Sequence, residues 1–291
     1  MAAKEIKKIA LIFSGGLSRG AAQITFANEI IKKVGHDKFC CVCGSSIGAL
    51  NAYAVGVNNV ERLIDIYNNL DCDNTRKFMK KIRNDFFSDA FNQIEKEKLY
   101  MPVYVTSTNI FGIDCNYFCL NSMPRADLKA CVNLSMAFPI VNGPQRFNHH
   151  WWLDGGVTDN VPFLPATYFD PDMVIILHCY SRYYPPQSLF DKLKRDAIVI
   201  DVDVTLPFPE RLSPFSFSKT EFQTMLRAGA EEGKNFSDFI FQDMYSANVK
   251  ERCYKYINEK MELRHQKSWN GLLEVVDILN ALYQLKEGTM D

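Results

Sequence analysis

Phe39-Cys40-Cys41-Val42-Cys43-Gly44-Ser45-Ser46-Ile47-Gly48-Ala49-Leu50-Asn51-Ala52-Tyr53-Ala54 is the stretch that decides how the chain reads. Phe39 to Cys43 is a continuous apolar run, the pattern of a strand buried on both faces. The small residues from Ala49 to Ala54 read as a tightly packed helix. Between them Gly44-x-Ser46-x-Gly48 matches the nucleophile elbow, in which small flanking residues let the chain turn sharply from strand to helix and present a serine hydroxyl. The same five residues would also make a tight turn whose glycines serve packing alone. Ser45 sits at the variable position and is expected to point elsewhere.

Strand followed by helix recurs on either side of this turn. Ile6 to Phe13 predicts a buried strand running into Ser14-Gly15-Gly16, and Ala22, Phe26 and Ile30 set the spacing of a helix over Arg19 to Lys33. Asn58 to Leu99 reads as mainly helical and charged. Val103 to Thr108 and Cys115 to Leu120 are strand candidates parted by a Gly112-Ile113-Asp114 turn. A helix over Arg125 to Met136 stops before Phe138-Pro139. Met173 to Leu177 and Ala197 to Val202 are further strands, and helical segments around Lys219 to Tyr245 and Gly271 to Leu285 follow. The alternation predicts an α/β three-layer sandwich, a central mostly parallel sheet flanked by helices.

At 291 residues and 47% hydrophobic content, residues 1–291 are expected to form one domain. Lys and Arg total 33 against 34 for Asp and Glu, a formal charge of -1, which leaves no electrostatic footprint for nucleic acid. No apolar stretch reaches the length of a membrane span, and neither end carries a lipidation signature, so a soluble protein with at most reversible membrane-surface contact is expected. The nine cysteines, several in apolar runs, suit free thiols in a reducing, cytoplasmic compartment. Their spacings complete no zinc pattern, and no metal is expected.

A serine hydroxyl is a poor nucleophile without a base beside it. The five histidines, His36, His149, His150, His178 and His265, fall in no motif that marks a triad member. Two other turns bear on the question. Ser14-Gly15-Gly16-Leu17-Ser18-Arg19-Gly20-Ala21 is a glycine loop between strand and helix. It lacks the Lys-Ser/Thr ending of a phosphate loop and the second glycine of a dinucleotide fingerprint, so no cofactor is expected. With a nucleophile turn downstream, its amides better suit an oxyanion hole. Trp151-Trp152-Leu153-Asp154-Gly155-Gly156-Val157-Thr158-Asp159-Asn160-Val161-Pro162 sets the Asp154 carboxylate at the end of a strand on a glycine bend. Taken alone this is also an ordinary Asp-Gly turn, and Asp159 beside its Asn and Pro neighbours reads as loop-fixing.

Taken together and in this order, the three segments resemble the patatin-like phospholipase family over about Ile6 to Pro165; beyond that no motif is recognised. The resemblance implies a Ser-Asp dyad without histidine, with Ser46 as nucleophile and Asp154 as base, acting on lipid esters such as phospholipids. It also implies an oxyanion loop drawn from Gly15, Gly16, Leu17, Arg19 and Gly20, with the amides near Gly16 and Leu17 as donors. Gly44 and Gly48 flank the nucleophile, and Gly155 and Gly156 follow the aspartate. Ser135-x-Ala137-x-Pro139 matches the family's stretch ahead of the aspartate and implies a structural role. Leu17 stands where the family has a third consecutive glycine, a place that strains a leucine if its φ is positive.

Two other readings share these residues. One is an α/β-hydrolase triad of Ser46, Asp154 and His178 or His265. The other is a catalytically silent lipid-binding protein that keeps the fold. Tyr183-Tyr184-Pro185-Pro186 with Leu189-Phe190, and Pro207-Phe208-Pro209 with Phe215 and Phe217, are apolar and proline-broken. They could line an acyl groove, touch a membrane, or simply pack as connections.

Overall fold

A strand that is apolar at every position needs cover on both faces, and the centre of this molecule is built that way. The structure, a computed structural model, describes residues 4–70, 86–139, 142–179, 187–209 and 212–268. The strands are β1 (Ile9–Phe13), β2 (Phe39–Ser45), β3 (Val103–Asn109), β4 (Asp114–Cys119), β5 (Gln145–Phe147), β6 (His150–Asp154), β7 (Met173–His178) and β8 (Ile198–Asp203). The helices are α1 (Gly20–Val34), α2 (Ile47–Gly56), α3 (Val60–Asn68), α4 (Phe86–Ile94), α5 (Arg125–Ser135), α6 (Gln187–Phe190), α7 (Lys219–Ile240) and α8 (Ser246–Ser268). On β1, Ile9, Leu11 and Phe13 join the large core under α1, α2, α3, α5 and α7. Ala10 and Ile12 face a smaller core closed by Val161, Phe163 and Ala166, with Leu189 and Phe190 of α6 against it.

The strands pair in the order β5-β6-β3-β2-β1-β7-β8, with β4 also on β3. Pairs β2–β3, β1–β2, β1–β7 and β7–β8 are parallel, whereas β3–β4, β3–β6 and β5–β6 are antiparallel. The sheet is thus mixed, with a parallel body and an antiparallel margin. The β5–β6 hairpin, not anticipated as a pair, closes on Asn148 and His149 with φ of 48° and 65°, the signature of a two-residue type I′ turn.

Other departures have local causes. The first strand begins at Ile9 because the amides of Lys7 and Lys8 donate to Asp172 Oδ2 instead of a neighbouring strand. The C-terminal helix expected over Lys219 to Tyr245 stops at Ile240, whose carbonyl accepts from Arg252 Nε, and Asp243 accepts from the same guanidinium. The helix expected over Gly271 to Leu285 and the Tyr183 to Pro186 segment lie outside the described residues.

Helix α7 crosses α1 at glycines. A Cβ at Gly233 would sit 2.7 Å from the Phe26 Cα, and one at Gly229 would collide with the Ala22 carbonyl. This close approach seats α1, and with it the glycine loop at its N-terminus. Gly229→Ala is expected to lower stability by about 1–3 kcal/mol, the usual range for overpacking a fitted contact. A urea midpoint that falls at unchanged m-value checks it; an unaltered midpoint would show that the crossing tolerates a wider spacing.

Candidate active site

Two strands running toward each other bring the serine and the aspartate together. Strand β4 pairs with Tyr104 to Asn109 of β3, so its partners β2 and β6 both use the opposite edge. β2 occupies that edge up to Ser45 opposite Thr106, and β6 descends it from Trp152 opposite Asn109 to Asp154 opposite Ser107. The strands therefore meet nearly end to end. Ser46, one residue past β2, and Asp154, the last residue of β6, arrive at the same level of β3.

The turn at Ser46 is tight enough to dictate its neighbours. Ser46 has φ 54° and ψ -130°, a strained conformation for a side-chain-bearing residue. A Cβ at Gly44 would run into the Gly48 carbonyl, and one at Gly48 would lie 2.6 Å from the carbonyl oxygens of both Phe13 and Ser14. These contacts make both glycines obligatory. The Ser46 amide donates to Ser135 Oγ at 3.0 Å, which fixes the turn from α5. Gly155 packs against the Thr106 carbonyl and Ser45 Oγ, leaving the same lack of room at the other half of the site.

Ser46 Oγ donates to Asp154 Oδ2 at 2.6 Å, and Asp154 Oδ1 accepts from the Gly156 amide at 2.7 Å. Burial pushes the Asp154 carboxyl up to about 7, against the opposing effect of those two hydrogen bonds. Both residues open on a cleft of about 570 Å³, whose wall includes Gly15, Gly16, Asn160, His178, Pro214 and Phe215.

The glycine loop lies across that cleft. Asn160 holds it, since the Gly15 amide donates to both the Asn160 carbonyl and its Oδ1. The amides of Gly16 and Leu17, which line the cleft, have no acceptor among the described residues. Leu17 has φ 50°, so the strain foreseen for a leucine at this point is present. Arg19 is set apart from the cleft: its guanidinium is buried and donates to the carbonyls of Cys179 and Leu212, bracing the loop from behind. Gly20 opens α1 against Ile47.

Four positioning side chains carried little sequence signal. Gln23 donates to the Ser14 and Leu177 carbonyls, and Asn51 donates to the Gly20 carbonyl and Gln23 Oε1, a buried polar knot under the loop. Asn160 and Ser135 stood in quoted motifs, but their partners depend on the fold. Of the histidines, His178 lines the cleft with Nε2 3.2 Å from Asp201 Oδ2, while Asp154 contacts Ser46 directly. His36 bonds the Val55 carbonyl, His149 and His150 stand on the β5–β6 hairpin, and the side chain of His265 lies outside the described residues. Phe208, Phe215 and Phe217 are buried, and Phe215 forms cleft wall.

Comparison with known proteins follows the same region. The family model described as patatin-like phospholipase matches residues 11–110 and 105–167. The "Probable lipid hydrolase 463L" of Invertebrate iridescent virus 6 is 26% identical over 178 residues, 52% of this chain and 61% of that protein, so the match spans less than two thirds of the relative's length. The crystal structure of VipD from Legionella pneumophila aligns with 98% of this chain and 80% of its own at 14% identity, with a TM-score of 0.43.

An acid whose folded pKa is raised holds its proton more tightly in the folded state, so folding loses stability as pH climbs from the ordinary 3.8 to about 7. Asp154→Asn removes that buried charge. It is expected to raise the melting temperature relative to the parent near about pH 8, with the gain vanishing toward about pH 4. An equal difference at both ends of the range would mean that Asp154 titrates normally.

Proposed function

Because the chain belongs to the patatin-like phospholipase family, we propose that it is a lipid acyl hydrolase that cleaves carboxylic esters through an acyl-enzyme on Ser46, with Asp154 as the base. The observation that carries this reading is the 2.6 Å hydrogen bond from Ser46 Oγ to Asp154 Oδ2. Nucleophile and base are already within proton-transfer reach.

In this scheme Ser46 Oγ attacks the ester carbonyl carbon as its proton passes to Asp154. Charge gathers on the carbonyl oxygen, where the Gly16 and Leu17 amides and the N-terminus of α2 supply positive potential. The tetrahedral adduct collapses, the carbon–oxygen bond to the alcohol breaks, and Asp154 returns the proton to the departing oxygen. Water then enters, gives a proton to Asp154 and attacks the acyl-serine; the fatty acid leaves and Ser46 recovers its hydrogen. A carboxyl poised at about 7 suits both halves, because it accepts and releases a proton near neutrality. The apolar wall of Phe138, Val161 and Phe215 suits an acyl chain, and phospholipid esters are the substrate class that the family supplies.

The direct contact leaves no imidazole between Ser46 and Asp154, which weighs against the triad with His178. A lipid-binding protein without activity would have no need of a strained serine against a proton-holding carboxylate.

Ser46→Ala is expected to abolish labelling by a fluorophosphonate and hydrolysis of a soluble short-chain ester. His178→Ala is expected to stay within about threefold of the parent, since nothing in the scheme passes a proton through it. Full-rate labelling of Ser46→Ala, or a loss of about 10³ or more in His178→Ala, would send the assignment to another nucleophile or to the triad.

A further inference from the structure

Two hairpin tips stand beyond the Ser46 end of the sheet. Strand β3 continues past the level of Ser46, at Ser107, and turns over residues 110–113 before β4 returns; the tip extends on the order of 10 Å further along the strand direction. There Phe111 is 76% and Ile113 72% exposed, large apolar side chains with little protein around them. The Ile110 amide donates to the Trp151 carbonyl, which joins this tip to the β5–β6 hairpin, and Trp151 is itself 42% exposed. Its neighbour Trp152 does the packing instead, buried with its ring 5.1 Å from Phe118. Ile113 has φ 53°, a conformation that glycine or asparagine fills with less strain than a β-branched residue.

The tips are flanked by polar side chains. Arg146, paired across the hairpin with Trp151, and His149 and His150 at its turn are all exposed. Asp114 is the single acid in the two hairpin tips, and its carboxylate folds back over Gly112. A tryptophan between apolar tips and polar flanks matches the layering of a bilayer surface, apolar below and polar at the headgroups. Large apolar side chains exposed on two short hairpin tips suit insertion among lipids more than the flat packing of a protein partner. Val157, 49% exposed, lies on the loop after Asp154 and lines the cleft, so the cleft itself presents apolar surface to solvent. Among the described residues no helix is long and apolar enough to cross a membrane, so such contact is peripheral.

We propose that Phe111, Ile113 and Trp151, flanked by the polar side chains of Arg146, His149 and His150, seat the protein on a lipid surface with the Ser46 cleft turned toward it. The proposal rests on the reading of the cleft as a lipid acyl hydrolase site. It differs from the expectation for the proline-broken segments: Phe208, Phe215 and Phe217 are buried and offer no membrane contact.

The test uses the full chain carrying Ser46→Ala, sedimented with vesicles of phosphatidylcholine with and without phosphatidylserine. Binding is expected to both compositions, since apolar insertion carries it. Adding Phe111→Ser, Ile113→Gly and Trp151→Ser is expected to weaken it on the order of a hundredfold, since three apolar anchors are lost. Ile113→Gly suits the backbone there, and an unchanged urea midpoint certifies the fold. If the triple variant does not fold, Phe111→Ser with Ile113→Gly leaves the β5–β6 hairpin intact, and a tenfold loss is expected. In the chain with Ser46 intact, the same tip changes are expected to spare hydrolysis of a soluble short-chain ester while hydrolysis of vesicle lipid falls. Unweakened vesicle binding by the tip variants overturns the proposal, as does a self-association that they dissolve without altering vesicle binding. A parent chain inactive on soluble ester instead refutes the proposed activity, while the Ser46→Ala sedimentation still reads the surface.

Discussion

Everything at the site depends on a backbone turn that the chain would not adopt unaided. Ser46 holds φ 54° and ψ -130° because there is no space for it to relax. The Gly48 carbonyl presses on Gly44, the carbonyls of Phe13 and Ser14 press on Gly48, and Ser135 Oγ takes the Ser46 amide. Such strain survives where surrounding contacts over-determine the geometry, and here they come from β1, α2 and α5 together. The large core matters for this reason: it sets three elements so close that only glycines fit between them.

The aspartate is held by different means. It is brought to the serine by register, with β3 as the common template, since Thr106 and Ser107 are consecutive and carry the ends of β2 and β6 respectively. A slip of one residue in the β3–β6 pairing would turn the Asp154 side chain to the other face of the sheet, and one in the β2–β3 pairing would misplace the Ser46 turn. Among the described residues no cation sits beside it, so burial pushes the carboxyl up to about 7 against the stabilising hydroxyl of Ser46 and amide of Gly156. Placement and proton affinity thus have a single origin, the end of an antiparallel strand inside a largely parallel core.

How much of this was legible in the sequence varies with the range of the interaction. Gly44, Ser46 and Gly48 announce their turn because the clash that requires the glycines is local. The parallel strands β1, β2, β7 and β8 are legible as apolar runs because both their faces are covered. The β5–β6 hairpin is not: Gln145–Phe147 is short and largely exposed, and His149 at positive φ is an unusual choice for its turn. The bond from Gly15 to Asn160 spans 145 positions and has no periodicity to betray it. Leu17 lies between these cases, since its position could be compared with a glycine motif, but only the φ of 50° shows that the strain is present.

The head-on meeting of β2 and β6 divides the site between two regions of unequal resilience. The serine turn belongs to the parallel body, where β1 and β7 are buried throughout and β2 at all but Cys40, whereas the aspartate hangs from a hairpin that joins the sheet through three pairs on β3. Local opening takes such margins first, well below the free energy that unfolds the body. Under the proposed mechanism, a molecule whose hairpin has lifted would keep its sheet, its helices and its strained serine, yet hold nothing to take the serine's proton. On that mechanism, folded mass and competent mass would be separate quantities, and the gap between them would be governed by a few residues at the edge of the sheet.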